Sequence, residues 1–126
     1  RSALAASLAK AVAASGLDAE FFLLDPGIGF AKTAEQSVRL VAAIGELRQL
    51  GRPVLMGPSR KSFIGHILDR TNPAERVWGT AGACAACSLL GADVVRVHDV
   101  AAMRDAVRVA DAIRRHTQSR YVGGEA

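Results

Sequence analysis

The stretch Phe21 to Lys32, FFLLDPGIGFAK, constrains this chain more than any other. Phe21 to Leu24 are four consecutive apolar residues, which predicts a short strand buried on both faces, as in a parallel sheet. Asp25 then falls at the strand's C-terminal end. Pro26, Gly27 and Gly29 break the extended backbone at once and allow the tight turn that a ligand-facing βα loop requires. A carboxylate in such a place is costly to bury without a partner.

The same pattern recurs in PVLMGPSRK (Pro53 to Lys61) and DVVRVHDV (Asp93 to Val100), two more apolar runs that end in charge. Arg60 follows Asp25 by 35 residues and Arg96 follows Arg60 by 36, and each interval contains a helical pattern. Strand, crossover helix and parallel strand at this period predict right-handed βα units with all three strand ends on one edge. Asp25, Arg60, Lys61, Arg96 and His98 are therefore expected to converge.

The intervening helices follow from periodicity and end signals. Ser2 to Ser15 predicts a helix with Leu4, Leu8, Ala11 and Val12 on one face, stopped by Gly16. Thr33 and Gln36 form a capping-box pair opening a helix whose inward stripe is Leu40, Ile44 and Leu47, closed by Gly51. Ser62 to Leu68 predicts a short helix. Asn72, Pro73 and Glu75 predict the start of another running to Leu90, with small residues Gly79, Ala81, Gly82, Ala85 and Ala86 suited to close packing on the body of the fold or on a second subunit. Asp99 is placed to cap a last helix with the stripe Met103, Val107, Ala110 and Ile113. Thr117 to Ala126 is expected to be a disordered tail.

Composition excludes several classes. The net charge is +4, but the basic residues are scattered and aromatics are only 5%, so neither the basic stripe nor the stacking set of a nucleic-acid binder is present. No apolar run approaches the ~20 residues of a membrane span, and no signal peptide is visible. Cys84 and Cys87 form CAAC without a second pair or a histidine at ligand spacing. In an Ala-rich helix they read as small buried residues, not as a metal or redox pair. Gly27 and Gly29 lack the third glycine of a dinucleotide fingerprint.

DPGIGFAKT, GPSRKSFIG and RVHDV, in this order and spacing, resemble the last three strand-end motifs of dihydropteroate synthase, the pterin-binding enzyme of the folate pathway. The resemblance covers roughly Phe21 to Ile113. It implies the C-terminal portion of a (β/α)8 barrel, with three parallel strands alternating with helices over residues 1–116 and the site at the C-terminal strand ends. A chain that starts at Arg1 within a helical pattern is expected to be a fragment, inactive on its own.

Each candidate residue has a functional and a plainer reading. Asp25 suits the paired N–H donors on a pterin edge, or a salt bridge with Arg60 or Lys61; the resemblance implies the pterin. Lys61 is a surface lysine, or, by the resemblance, a contact shared by pterin and p-aminobenzoate. Ser62 is an ordinary helix N-cap, a contact to the p-aminobenzoate carboxylate, or both. Arg96 and His98 share one face by the period of two. They could pair with Asp25 or Asp99 and with backbone, whereas the resemblance implies that they bind diphosphate. Phe30 is loop packing or, by the resemblance, an aromatic neighbour of both pockets.

The implied reaction joins the methylene of a dihydropterin diphosphate to the amine of p-aminobenzoate, releasing diphosphate, with sulfonamides as inhibitors. Asp25, Lys61, Arg96 and His98 would be its catalytic residues here. The resemblance further implies Mg²⁺, liganded in the absent N-terminal half, a homodimer at full length, and the cytoplasm. Ser37 stands where many members have Asn, and Pro58 occupies a position that varies in the family. A pterin-binding methyltransferase domain and a non-catalytic paralogue stand as alternatives.

Overall fold

The computed structural model describes residues 3–122. Six helices and two very short strands alternate: α1 (Ala3–Ala14), α2 (Ala34–Ala42), α3 (Ile44–Arg48), β1 (Leu55–Met56), α4 (Ser62–Leu68), α5 (Val77–Leu90), β2 (Val94–Val95) and α6 (Val100–Val122). β1 and β2 are parallel, with Leu55 opposite Val94 and Met56 opposite Val95. Leu24 adds one isolated parallel bridge to Val54. The expected three-strand arrangement is thus reduced to two strands and a bridge, although the order and the parallel sense are as expected.

The largest correction falls on Phe21 to Leu24. Ala19–Phe21 is a turn of 3₁₀-helix, and only Leu24 joins the ladder, donating to Pro53 O and accepting from Leu55 N at 2.8 Å each. Phe21 is 76% exposed and Leu23 49%, so this run is not buried on two faces. Among the described residues only one neighbouring strand pairs with it, and without a second there is no ladder to hold Phe21 to Leu23 extended.

Alternation of side chains sorts the sheet into two faces. Leu24, Val54 and Met56 point under the helices and are buried, joining Ile28, Ile44 and Leu47 in the core. Leu23 and Val94 lie on the opposite face and remain exposed. That open face carries Asp25, Gly57 and Arg96 at its C-terminal end.

Local signals largely set the helices. Thr33 and Gln36 make the reciprocal capping box in full. The helix it opens breaks at Ala43 into α2 and α3, with Ile44 and Leu47 still buried. Asn72 caps at Ala74 N and Pro73 follows it, but the first turn, Pro73–Arg76, is 3₁₀ before α5 begins. In α6, Met103 and Ala110 are buried, whereas Ile113 is 53% exposed. The expected tail, Thr117 to Ala126, is helical as far as Val122, with no Gly or Pro before Gly123, and beyond that lies outside the described residues.

Cys84 and Cys87 are both free and fully buried on α5. Burial pushes the Cys84 thiol up to about 11, and burial together with the neighbouring Cys84 pushes Cys87 up to about 12. At pH 8 neither should react with iodoacetamide in the native chain, and both should react in denaturant, as read by mass spectrometry. Native-state alkylation at the denatured rate would contradict this burial. Because the folded thiols hold their protons above the ordinary value of 9.0, their contribution to stability is complete below about pH 9 and is lost as pH rises through the raised values.

Candidate active site

The three strand ends bring Asp25, the Gly57–Lys61 segment and the Arg96–Asp99 segment to one edge. Asp25 Oδ1 accepts from Gly27 N at 2.8 Å, an Asx turn that curls the DPGIGF loop, and Gly27 and Gly29 take the left-handed φ values of +76° and +82° that the turn needs. Asp25 Oδ2 faces Arg96 Nη1 at 3.6 Å, an ion pair between half-exposed side chains.

That pair spans the middle strand, and Gly57 makes the crossing possible. A Cβ at position 57 would stand 2.5 Å from Arg96 Nη2, so the guanidinium occupies the space where a side chain would be. Of the partners the sequence offers Asp25, namely Arg60, Lys61 or Arg96, the structure places Arg96 there.

Arg60 is held elsewhere. Its backbone is left-handed at φ +57°, which is uncommon for a residue with a side chain. Three contacts fix it: its N–H donates to the buried Thr80 Oγ1 at 3.0 Å, its carbonyl accepts from Arg76 Nη1 at 2.9 Å, and its guanidinium grips Asp99 through Nε at 3.3 Å and Nη2 at 3.0 Å. Asp99 is therefore committed to Arg60, and its expected capping of α6 reduces to its backbone carbonyl, which accepts from Met103 N.

Lys61 leaves the bend in the other direction. Its aliphatic stem lies over Gly29, where a Cβ would be 3.2 Å from Cδ, and its Nζ stands 4.2 Å from the centre of the Phe30 ring, a cation–π contact. Phe30 is otherwise 61% exposed, so it is not core packing. Ser62 does not cap α4: Lys61 occupies the N-cap position and Ser62 is the first helical residue, with an exposed side chain.

His98 is exposed at the mouth and is held by Ser59. Its backbone N–H donates to Ser59 Oγ at 3.1 Å, and its Nδ1 lies 2.7 Å from the same oxygen. The plainer of the two sequence readings gave this ring to the backbone, and neither reading named Ser59 or the Arg60–Asp99 pair. The signal was register: Leu55 pairs with Val94, 39 residues on, and Ser59–His98 and Arg60–Asp99 keep that same separation of 39 beyond the strand ends.

Among the described residues, no three His, Cys, Asp or Glu side chains gather as metal ligands. The two mouth carboxylates each face an arginine. This donor set does not fit a divalent cation. No described helix is long and apolar enough to cross a membrane.

Comparisons with known proteins give the arrangement its relatives. The profile of a family described as "Pterin binding enzyme" matches residues 1–98. Dihydropteroate synthase of Synechocystis sp. is 58% identical over 100 residues, covering 79% of this chain and 35% of that protein. Among solved structures, dihydropteroate synthase from Xanthomonas albilineans in complex with 7,8-dihydropteroate superposes with a TM-score of 0.82 at 39% identity, covering 88% of this chain and 44% of that one. The Yersinia pestis dihydropteroate synthase with a sulfonamide drug gives 0.80 at 33% identity, covering 88% and 40%. The chain therefore spans less than half the length of each of these relatives. With the profile matched from its first residue to the histidine at the strand-end mouth, the chain belongs to the pterin binding enzyme family.

Proposed function

We propose that this chain is the C-terminal portion of a dihydropteroate synthase, supplying the last three strand ends of an eight-stranded barrel. The observation that carries the reading is the convergence of Asp25, Lys61, Arg96 and His98 on one edge, each on the motif that matches the family. The relative with bound 7,8-dihydropteroate supports both the product and the substrates it would be made from. The sulfonamide complex supports that class as inhibitors.

In this reading Asp25 accepts the paired N–H donors of the pterin edge, leaving Oδ1 on Gly27 to keep the loop in shape. Arg96 has no partner among the described residues beyond Asp25, so its guanidinium is free to shift from the carboxylate to the diphosphate as charge builds on the leaving group. His98 provides a second donor to the same oxygens. Lys61 and Phe30 together form the wall between the pterin and p-aminobenzoate pockets, and Ser62 meets the p-aminobenzoate carboxylate. The reaction needs no covalent intermediate on the protein.

The Mg²⁺ that the resemblance implies would take its ligand from outside this chain. A homodimer at full length is supported by the exposed stripe of α5, where Trp78, at 84% exposed, and Leu89 flank Gly82 and Ala85 on one side. The cytoplasm, where free thiols persist, is the matching compartment.

The test is turnover by the full-length protein that contains this chain, supplied with dihydropterin diphosphate and p-aminobenzoate; absence of dihydropteroate overturns the reading. Arg96→Ala should weaken binding of diphosphate and of the diphosphate substrate while leaving plain pterin affinity within about threefold. Equal losses for the two ligand classes would make Arg96 a pterin or structural contact instead. The chain alone is expected to be inactive, because its short strands cannot close a barrel.

A further inference from the structure

Ser59 matches no assigned role, yet its position is unusual for a serine beside an exposed histidine. Only 4% exposed, it sits between two strand ends, and its hydroxyl makes both of its contacts with His98. The backbone N–H of His98 already donates to Oγ, so that oxygen is an acceptor once over. A hydroxyl has a single proton to give, and Nδ1 at 2.7 Å is the one acceptor that Oγ reaches among the described residues. Were Nδ1 to carry the ring proton, two donors would converge on Oγ and the hydroxyl's own proton would be left buried without an acceptor, which folded proteins avoid.

We propose that Ser59 is a positioning residue that holds neutral His98 as the Nε2–H tautomer, with Nε2–H presented at the strand-end mouth as a donor to an anionic oxygen of the diphosphate class. Nε2 makes no hydrogen bond among the described residues, and the side chain is exposed, so the donor is available to a ligand. One serine thereby fixes both the ring's tautomer and its backbone anchor. The ligand half of this inference rests on the reading of Arg96 and His98 as a diphosphate site; the tautomer half does not.

The experiment uses the full-length protein labelled with ¹⁵N-histidine, at a pH well above the ordinary imidazole range. The signal missing from His98→Asn assigns the ring, and its nitrogen shifts report which nitrogen bears the proton. The wild type is expected to show Nε2–H alone. Ser59→Ala should give a mixture of the two tautomers and raise the Kd for inorganic diphosphate about threefold to tenfold, as loss of one oriented hydrogen bond would. Ser59→Thr, which keeps the hydroxyl, should restore both. A wild-type ring protonated on Nδ1 overturns the proposal without any variant, and so does Ser59→Ala with the tautomer unchanged. If the tautomer result holds but His98→Asn leaves diphosphate affinity untouched, the anion role of His98 is overturned and the Ser59 clamp stands.

Discussion

Arg76→Met is expected to cost about 3–5 kcal/mol of folding stability, since three carbonyls lose a charged donor and each one left unsatisfied costs about 1–3 kcal/mol. Arg76 is 9% exposed, and its guanidinium donates to three backbone carbonyls: Arg70 O at 2.9 Å, Arg60 O at 2.9 Å and Thr71 O at 3.0 Å. Among the described residues no carboxylate pairs with it; the cation is held there by carbonyl dipoles. Methionine fills the stem volume but donates nothing, leaving three carbonyls to find other partners. Lysine should recover little, since one ammonium cannot reproduce the planar fork that reaches two loops at once. Urea unfolding is the measurement, and a lysine variant as stable as wild type would show that the fork is not what matters. Gly65 provides a cross-check. A Cβ there would stand 2.5 Å from both Arg70 O and Arg76 Nε, so Gly65→Ala should damage the same clamp and combine with Arg76→Met less than additively.

Asp25→Asn should lower pterin affinity by roughly 2–4 kcal/mol in the full-length protein, because a carboxylate oxygen that accepts becomes an amide that meets the pterin's own donors. The structure explains why this variant isolates the effect. Asn can still accept from Gly27 N through Oδ1, so the DPGIGF turn survives, and what is lost is the charge and the acceptor at Oδ2 beside Arg96. Calorimetric titration with a pterin, run beside a thermal melt, separates the outcomes. Unchanged affinity removes Asp25 from the site, and a collapse of the melting temperature makes it a structural residue.

What the sequence made legible was local. The Thr33–Gln36 box, the stops at Gly16 and Gly51, the Asn72–Pro73 start and the buried CAAC pair each depend on residues a few positions apart, and each appears in the fold. Convergence of the strand ends was legible too, since it follows from the βα period. Pairing was not. Whether Asp25 meets Arg60, Lys61 or Arg96 depends on parallel register and on the absence of a side chain at Gly57, neither of which a local pattern encodes. Phe21 to Leu23 failed for a related reason: an apolar run becomes a strand only when strands flank it, and the described chain supplies one neighbour.

The two arginine–aspartate pairs at the mouth have a consequence for how ligands arrive. Arg60 with Asp99 and Arg96 with Asp25 cancel at a distance, which leaves Lys61 over the Phe30 ring and Lys32 on the Phe30 carbonyl as the cations at this loop that face no carboxylate among the described residues. Two uncancelled cations draw an anion from solution over roughly a Debye length, ~8 Å at physiological salt. On the proposed reading, capture of an anionic substrate would be helped by Lys61 and Lys32 and slowed by added salt, whereas retention would depend on paired groups that come into play only after the anion has arrived.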